Sequence, residues 1–256
     1  MNCYNDVKSL PSGANRVTLH SGSGRQWIEK KYEAQLTGYP VHWPVSRGGT
    51  EAALLEYLPQ FLRSEKLHFP RVYRWDPARS ILSMEYCPGK PLSACSESEL
   101  LGPLPWEELF QFLYSLQALS RKTMEAAIGP VFAGQEEIRR CMLREKIGVK
   151  HGDASAFGDS AATDTLCLGD LSLNNILWDQ ERFWLIDLEC AHMGSQGYDA
   201  GQLLAMARAR WADGPVFAKI ERAFLESIPD AAFRAGGRFW EEKFLPFYSH
   251  KQPPKI

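Results

Sequence analysis

The sequence offers no paired cysteines. Its six, Cys3, Cys87, Cys95, Cys141, Cys167 and Cys190, stand singly with no Cys-x-x-Cys spacing, which argues against a zinc knuckle or a disulfide scaffold and fits a reducing compartment. It also lacks an excess of either charge. Twenty-nine Lys and Arg face 31 Asp and Glu, a net of -2, so nothing in the balance calls for nucleic acid or an anionic membrane as partner. Long apolar runs are missing too: "LFQFLYSLQAL" and "FWLIDLECA" are too short to cross a bilayer. "MNCYNDVKSL" has no apolar h-region, so a cytoplasmic location is expected. No internal repeat is visible.

What the chain does have is material for a sizeable core: 256 residues, 45% hydrophobic and 12% aromatic, enough for one domain or two small lobes. The first ninety residues read as strands around one helix. "NRVTLH" and "RQWIEKKY" have strand composition, with the glycines of "HSGSGR" forming a hairpin connection between them. "TEAALLEYLPQFL" spaces Ala52, Leu55, Leu58 and Leu62 as a helix does, with Thr50 as its expected N-cap. "RVYRWD" and "ILSMEY" form a second strand pair joined by "PARS". "CPGKPL" then breaks regular structure and is the expected linker between residues 1–87 and 88–256.

Beyond it the pattern is mostly helical. "PWEELFQFLYSLQALSRKTM" puts Trp106, Leu109, Phe110, Leu113, Leu116 and Leu119 on one apolar stripe, and "GQEEIRRCMLREKIG" predicts a second amphipathic helix. Residues 149 to 165 read as a loop of small and polar residues. Three short strands follow, "TLCL", "NILWD" and "RFWLID".

Between 151 and 170 Gly-Asp occurs three times, at Asp153, Asp159 and Asp170. Asp153 and Asp159 fall in the small-residue loop, with no apolar strand to hold them. Asp170 follows an apolar strand directly, Asn175 comes five residues later at the start of the next, and Asp187 ends a third. This spacing predicts a hairpin and a neighbouring strand that present all three on one rim. Two carboxylates and an amide carbonyl are hard oxygen ligands, suited to magnesium with phosphate oxygens and water, and an Asp inside "WLIDLE" is costly to bury without a partner.

"LGDLSLNNIL" followed by "WLIDLE" resembles the catalytic core of the aminoglycoside phosphotransferase and choline kinase superfamily, small-molecule relatives of the protein kinases. "GRQWIEKKY" is similar to that family's lysine-bearing strand, "TEAALLEYL" to the helix whose Glu pairs with the lysine, and "ILSMEYCPGKPL" to the adenine-holding strand and hinge. The resemblance implies an α+β, bilobal, protein-kinase-like fold: an N-terminal antiparallel sheet with one helix, and a mostly helical C-terminal lobe. It implies an ATP- and Mg2+-dependent transfer to a hydroxyl of a small molecule.

By the same resemblance Asp170 orients the acceptor hydroxyl and takes its proton, while Asn175 and Asp187 hold magnesium. Lys30 bridges the ATP phosphates and Glu51 holds the lysine. Alternation groups Ile28, Lys30 and Tyr32 on one strand face; an aliphatic residue two before the lysine lines the adenine pocket in related folds, which favours Lys30 over Lys31. Glu51 competes with Glu56. Ser12, Gly13 and Asn15 are expected at the phosphates, in preference to the glycines at 22 and 24. Met84 faces the adenine ring, the backbone of Glu85 and Cys87 pairs with it, and Asp199 braces the catalytic loop. Leu168 stands where the family usually carries His, which keeps open a catalytically degenerate fold that binds nucleotide or a partner. Only eleven residues separate Asp187 from Asp199, too few for the long activation segment of a protein-directed kinase. Glu221, Glu226, Glu241, Glu242 and Asp213 are candidate acids for a cationic acceptor.

Overall fold

Burial alternates along residues 25–31, with Ile28 and Lys30 buried and Arg25, Gln26 and Lys31 exposed; this strand is the centre of the first sheet. The computed structural model describes residues 6–10, 15–22, 24–33, 46–129, 138–139, 142–143, 165–212 and 214–250. Its first strands are β1 (Asp6–Leu10), β2 (Arg16–Gly22), β3 (Arg25–Lys31), β4 (Leu67–His68), β5 (Val72–Asp76) and β6 (Ile81–Glu85). All but β4 join one antiparallel sheet in the order β1-β2-β3-β6-β5. Ile28 pairs with Met84 and Lys30 with Leu82. Directly opposed residues point to the same side, so these four share a face.

The helix α1 (Arg47–Tyr57) starts earlier than expected. Its N-cap is Ser46, and Thr50 is buried inside it, its N–H donating to the Ser46 carbonyl at 3.1 Å. The helix therefore takes in Gly48 and Gly49, at about 1 kcal/mol each relative to Ala. Packing explains Gly48: a Cβ there would stand 2.5 Å from the Tyr32 ring and 2.6 Å from Trp75.

The C-terminal part holds β7 (Lys90–Pro91), β8 (Thr165–Cys167), β9 (Ile176–Trp178), β10 (Phe183–Leu185) and β11 (His192–Gly194). Its helices are α2 (Glu97–Leu100), α3 (Trp106–Ser115), α4 (Arg121–Ile128), α5 (Tyr198–Trp211), α6 (Pro215–Ser227) and α7 (Ala231–His250). The expected linker contributes β7, which edges a four-stranded sheet in the order β4-β10-β9-β7, where Pro91 is tolerated at an edge. β4 reaches into this sheet from before residue 87, pairing parallel with β10. The long helix expected over 105–124 is broken. α3 ends at Ser115, a 3-10 turn follows, and Ser120 caps α4 by accepting from the Thr123 N–H at 3.3 Å. A bridge from Ser120 to Thr165 and a bond from the Leu166 N–H to the Leu119 carbonyl pull the chain out of helix there. The apolar stripe survives the break, with all six residues at most 3% exposed.

β9 and β10 form the expected hairpin, whereas β8 pairs with β11 in a sheet of their own. Most of the helix expected over 134–148, the loop with Asp153 and Asp159, and Ser12 and Gly13 lie outside the described residues. Among the described residues no helix is long and apolar enough to cross a membrane.

Candidate active site

β8 ends at Cys167, and the turn after it delivers Asp170. The Asp199 carboxylate, in the first turn of α5, accepts from the Leu168 N–H at 2.7 Å and from the Gly169 N–H at 2.9 Å. Gly169 has φ +84°, and a Cβ on it would lie 2.0 Å from the Cys190 carbonyl oxygen, so only glycine passes this point. Leu168 is buried in the core. The amide that Asp199 binds belongs to any residue but proline, so this support does not depend on the side chain at 168.

Two amides orient the Asp170 carboxylate. Gln202 Nε2 donates to Oδ1 at 3.1 Å, and Asn175 Nδ2 donates to Oδ2 at 3.3 Å and to the Asp170 carbonyl at 2.9 Å. The Asn175 carbonyl accepts from the Ile186 N–H at 3.0 Å, which sets the start of β9 beside the residue that follows β10. Asp187, the next residue, lies two places past the end of β10 rather than ending the strand as expected, and has φ 64° and ψ 58°, a left-handed conformation that Asp adopts more readily than most.

Lys30 is buried among acids. Its Nζ donates to Glu51 Oε2 at 2.7 Å and to Asp187 Oδ1, and lies 3.7 Å from Glu189 Oε2. Tyr32, two residues on along the same face, donates its hydroxyl to Glu51 Oε2 at 2.5 Å. Glu51 is fully buried, its other oxygen accepting from the Leu188 N–H at 3.2 Å, whereas Glu56 and Lys31 are exposed. Burial alone would lower the Lys30 pKa, but Asp187, Glu189 and Glu51 together raise it well above the ordinary lysine value. Burial raises the Asp187 carboxyl; Lys30 opposes this, and the neighbouring Glu189 and Asp170 carboxylates add to it.

Glu189 and Arg47 complete the cluster, and neither was singled out from the sequence. The fully buried Arg47 donates through Nε to Glu189 Oε2 at 3.0 Å, and through its terminal nitrogen to Asn15 Oδ1 and the Glu33 carbonyl, both at 2.8 Å. Asn15 Nδ2 donates to Glu189 Oε2 at 2.7 Å. The Asn15 side chain, expected at phosphate, thus ties the start of β2 to the turn after β10. "IDLE" carried a signal for Glu189; an arginine before Gly-Gly carried none for Arg47.

Glu51, Asp187 and Glu189 offer oxygens within 4.8 Å of one another, yet the Lys30 ammonium already sits among them. A metal fits better at Asn175 and Asp187. The Asn175 side-chain nitrogen is committed to Asp170, and no described residue donates to the side-chain oxygen Oδ1. With Asp170 nearby, the constellation has four carboxylates against Lys30 and Arg47. Hard oxygens with surplus negative charge suit magnesium.

At the hinge, Met84 is buried opposite Ile28, and Glu85 pairs with Arg71, its N–H donating to the Arg71 carbonyl at 2.9 Å. Cys87 is 7% exposed, and its N–H has no partner among the described residues. The candidate acceptor acids are largely consumed: Glu241 pairs with Arg208 at 2.5 Å and with Arg238 at 2.7 Å, and Glu221 pairs with Arg238 at 2.6 Å. Glu226 and Glu242 are exposed, and Asp213 lies outside the described residues.

The sequence profile of the phosphotransferase enzyme family matches residues 6–236. Among solved structures, the macrolide 2'-phosphotransferase MphH from Brachybacterium faecium is 16% identical, covers 100% of this chain and 95% of its own, and has a TM-score of 0.56. The streptomycin–ATP ternary complex of APH(2")-IIa is 17% identical, covers 92% and 83%, and scores 0.53. A choline/ethanolamine kinase family protein from Mesorhizobium loti is 16% identical, covers 94% and 76%, and scores 0.54. These likenesses show the bilobal kinase-like fold. No curated protein sequence matches.

Proposed function

Because this chain belongs to the phosphotransferase enzyme family, we propose that it is an ATP- and magnesium-dependent kinase that transfers the γ-phosphate to a hydroxyl of a small molecule. Asp170 carries this reading. Its two carboxylate oxygens both accept amide N–H groups, which fixes the carboxylate plane for a hydroxyl to approach. An acceptor hydroxyl donates its proton to Asp170 as its oxygen bonds to the γ-phosphorus; the bond to the β,γ-bridging oxygen breaks and ADP departs.

Phosphoryl transfer depends on placement and charge neutralisation more than on covalent help. Lys30 meets the phosphates, and Glu51 with Tyr32 keeps its ammonium in place. Asn175 and Asp187 would hold magnesium, which when bound neutralises phosphate charge. The Cys87 N–H, two residues past the end of the strand on which Met84 pairs with Ile28, receives the adenine edge. Ser12 and Gly13, expected at the phosphates from the sequence, lie outside the described residues. The acceptor is of the aminoglycoside, choline or other metabolite kind, in line with the macrolide, streptomycin and choline/ethanolamine names of the structural neighbours.

The test is ADP release from Mg-ATP across a panel of aminoglycosides, macrolides, choline, amino alcohols and sugars, with thermal melts alongside. Turnover of one acceptor with Mg-ATP stabilisation is expected. Stabilisation without turnover on any acceptor points to the degenerate, nucleotide-binding alternative; absence of both overturns the kinase reading.

A further inference from the structure

We propose that Gln202 is a positioning residue for the phosphoryl-transfer step, and that the fold accepts a cost in stability to keep it. The inference rests on the assignment of Asp170 as the base. Gln202 is fully buried in α5, one helical turn after Asp199. Residues three apart share a helix face, so one face of α5 grips the catalytic loop twice. Asp199 takes the backbone amides of Leu168 and Gly169, and Gln202 takes the carboxylate of Asp170.

Both hydrogens of the Gln202 amide are used, one on Asp170 Oδ1 at 3.1 Å and the other on the Tyr248 hydroxyl at 2.9 Å. Chemistry fixes the orientation: a flipped amide would set its carbonyl oxygen against the Asp170 carboxylate, where both groups only accept. The consequence is at the other end. Gln202 Oε1 is buried with no hydrogen-bond partner among the described residues. An unmet buried carbonyl destabilises a fold, and an apolar side chain of the same size would avoid it. A glutamine here is explained by what its nitrogen does to Asp170. With Asn175 on Oδ2, it fixes the carboxylate plane from the second side.

The experiment compares Gln202→Met, Tyr248→Phe and the double variant with wild type, in ADP release from Mg-ATP with the best acceptor of the panel or with water. Gln202→Met is expected to lower kcat by about ten- to a hundredfold, with KM for ATP and the Mg-ATP thermal shift unchanged, and a melting temperature equal to or above wild type. Tyr248→Phe is expected to lower kcat several-fold and to add nothing in the Gln202→Met background. A purely structural glutamine predicts the reverse, a lower melting temperature with kcat retained, and that outcome overturns the inference. So do full kcat in Gln202→Met, a loss confined to KM, or multiplicative losses in the double variant. A wild type that turns over neither any acceptor nor water fails earlier, on the kinase reading itself.

Discussion

Arg47 and Glu189, 142 residues apart in the chain, form a buried ion pair in which Arg47 Nε donates to Glu189 Oε2 at 3.0 Å. Asn15 and the Glu33 carbonyl share the same guanidinium, so four separate segments meet at one cation. Removing it strands a carboxylate in the interior. Arg47→Met is expected to cost about 3 kcal/mol, the lower end for a broken buried pair, because Lys30 at 3.7 Å still faces Glu189. Urea unfolding measures it. Removing both partners, with Glu189→Met, restores most of the loss, since the desolvation penalty goes with the charges.

Asp170→Asn is expected to abolish ADP release while the melting temperature stays within a few degrees of wild type. Asp153→Asn, in the loop read from the sequence as carrying no chemistry, is expected to leave turnover unchanged. Full activity in Asp170→Asn would remove the base assignment.

Gly169→Ala tests the backbone of the turn that carries Asp170. Its Cβ would meet the Cys190 carbonyl at 2.0 Å, on a left-handed backbone. The turn has to shift, at about 2 to 4 kcal/mol, and Asp170 shifts with it. Calorimetry and kcat are expected to fall together here, in contrast with Gln202→Met, where kcat falls alone.

Cys87 reports on the hinge through its ionisation. Burial, followed by the Glu85 and Asp179 carboxylates, pushes its thiol far above the ordinary cysteine value. The folded protein therefore binds this proton more tightly than the unfolded chain and keeps a neutral thiol well into the alkaline range. Iodoacetamide at pH 8 is expected to modify Cys87 only as fast as the protein opens, and Mg-ATP slows it further. Rapid labelling of Cys87 in the native state, read by mass spectrometry, would contradict the buried hinge.

Asp170, Asn175 and Asp187 were legible in the sequence because strand-end polar residues follow local patterns: an apolar strand, a turn, and a spacing that two short strands dictate. Alternation put Lys30 on one strand face with Ile28 and Tyr32, both of them buried with it, but the preference for Lys30 over Lys31 came from the family resemblance. The apolar stripe of 106–119 was readable for the same reason, even though the helix carrying it breaks at Ser120.

What long-range contact decides was not legible. The N-cap of α1 moved from Thr50 to Ser46 because Gly48 packs on Tyr32 and Trp75 and Arg47 finds Glu189, and no local propensity anticipates partners that far along the chain. β8 chose β11 over the β9–β10 hairpin. Gln202 reads as one more residue of a helix until tertiary packing sets its amide on Asp170. The sequence by itself determined which residue types could do the chemistry and the strand ends that carry them. Tertiary structure decided which buried charges pair and which amides hold them still, because hydrogen bonds and ion pairs act over a few ångströms of space and take no account of distance along the chain.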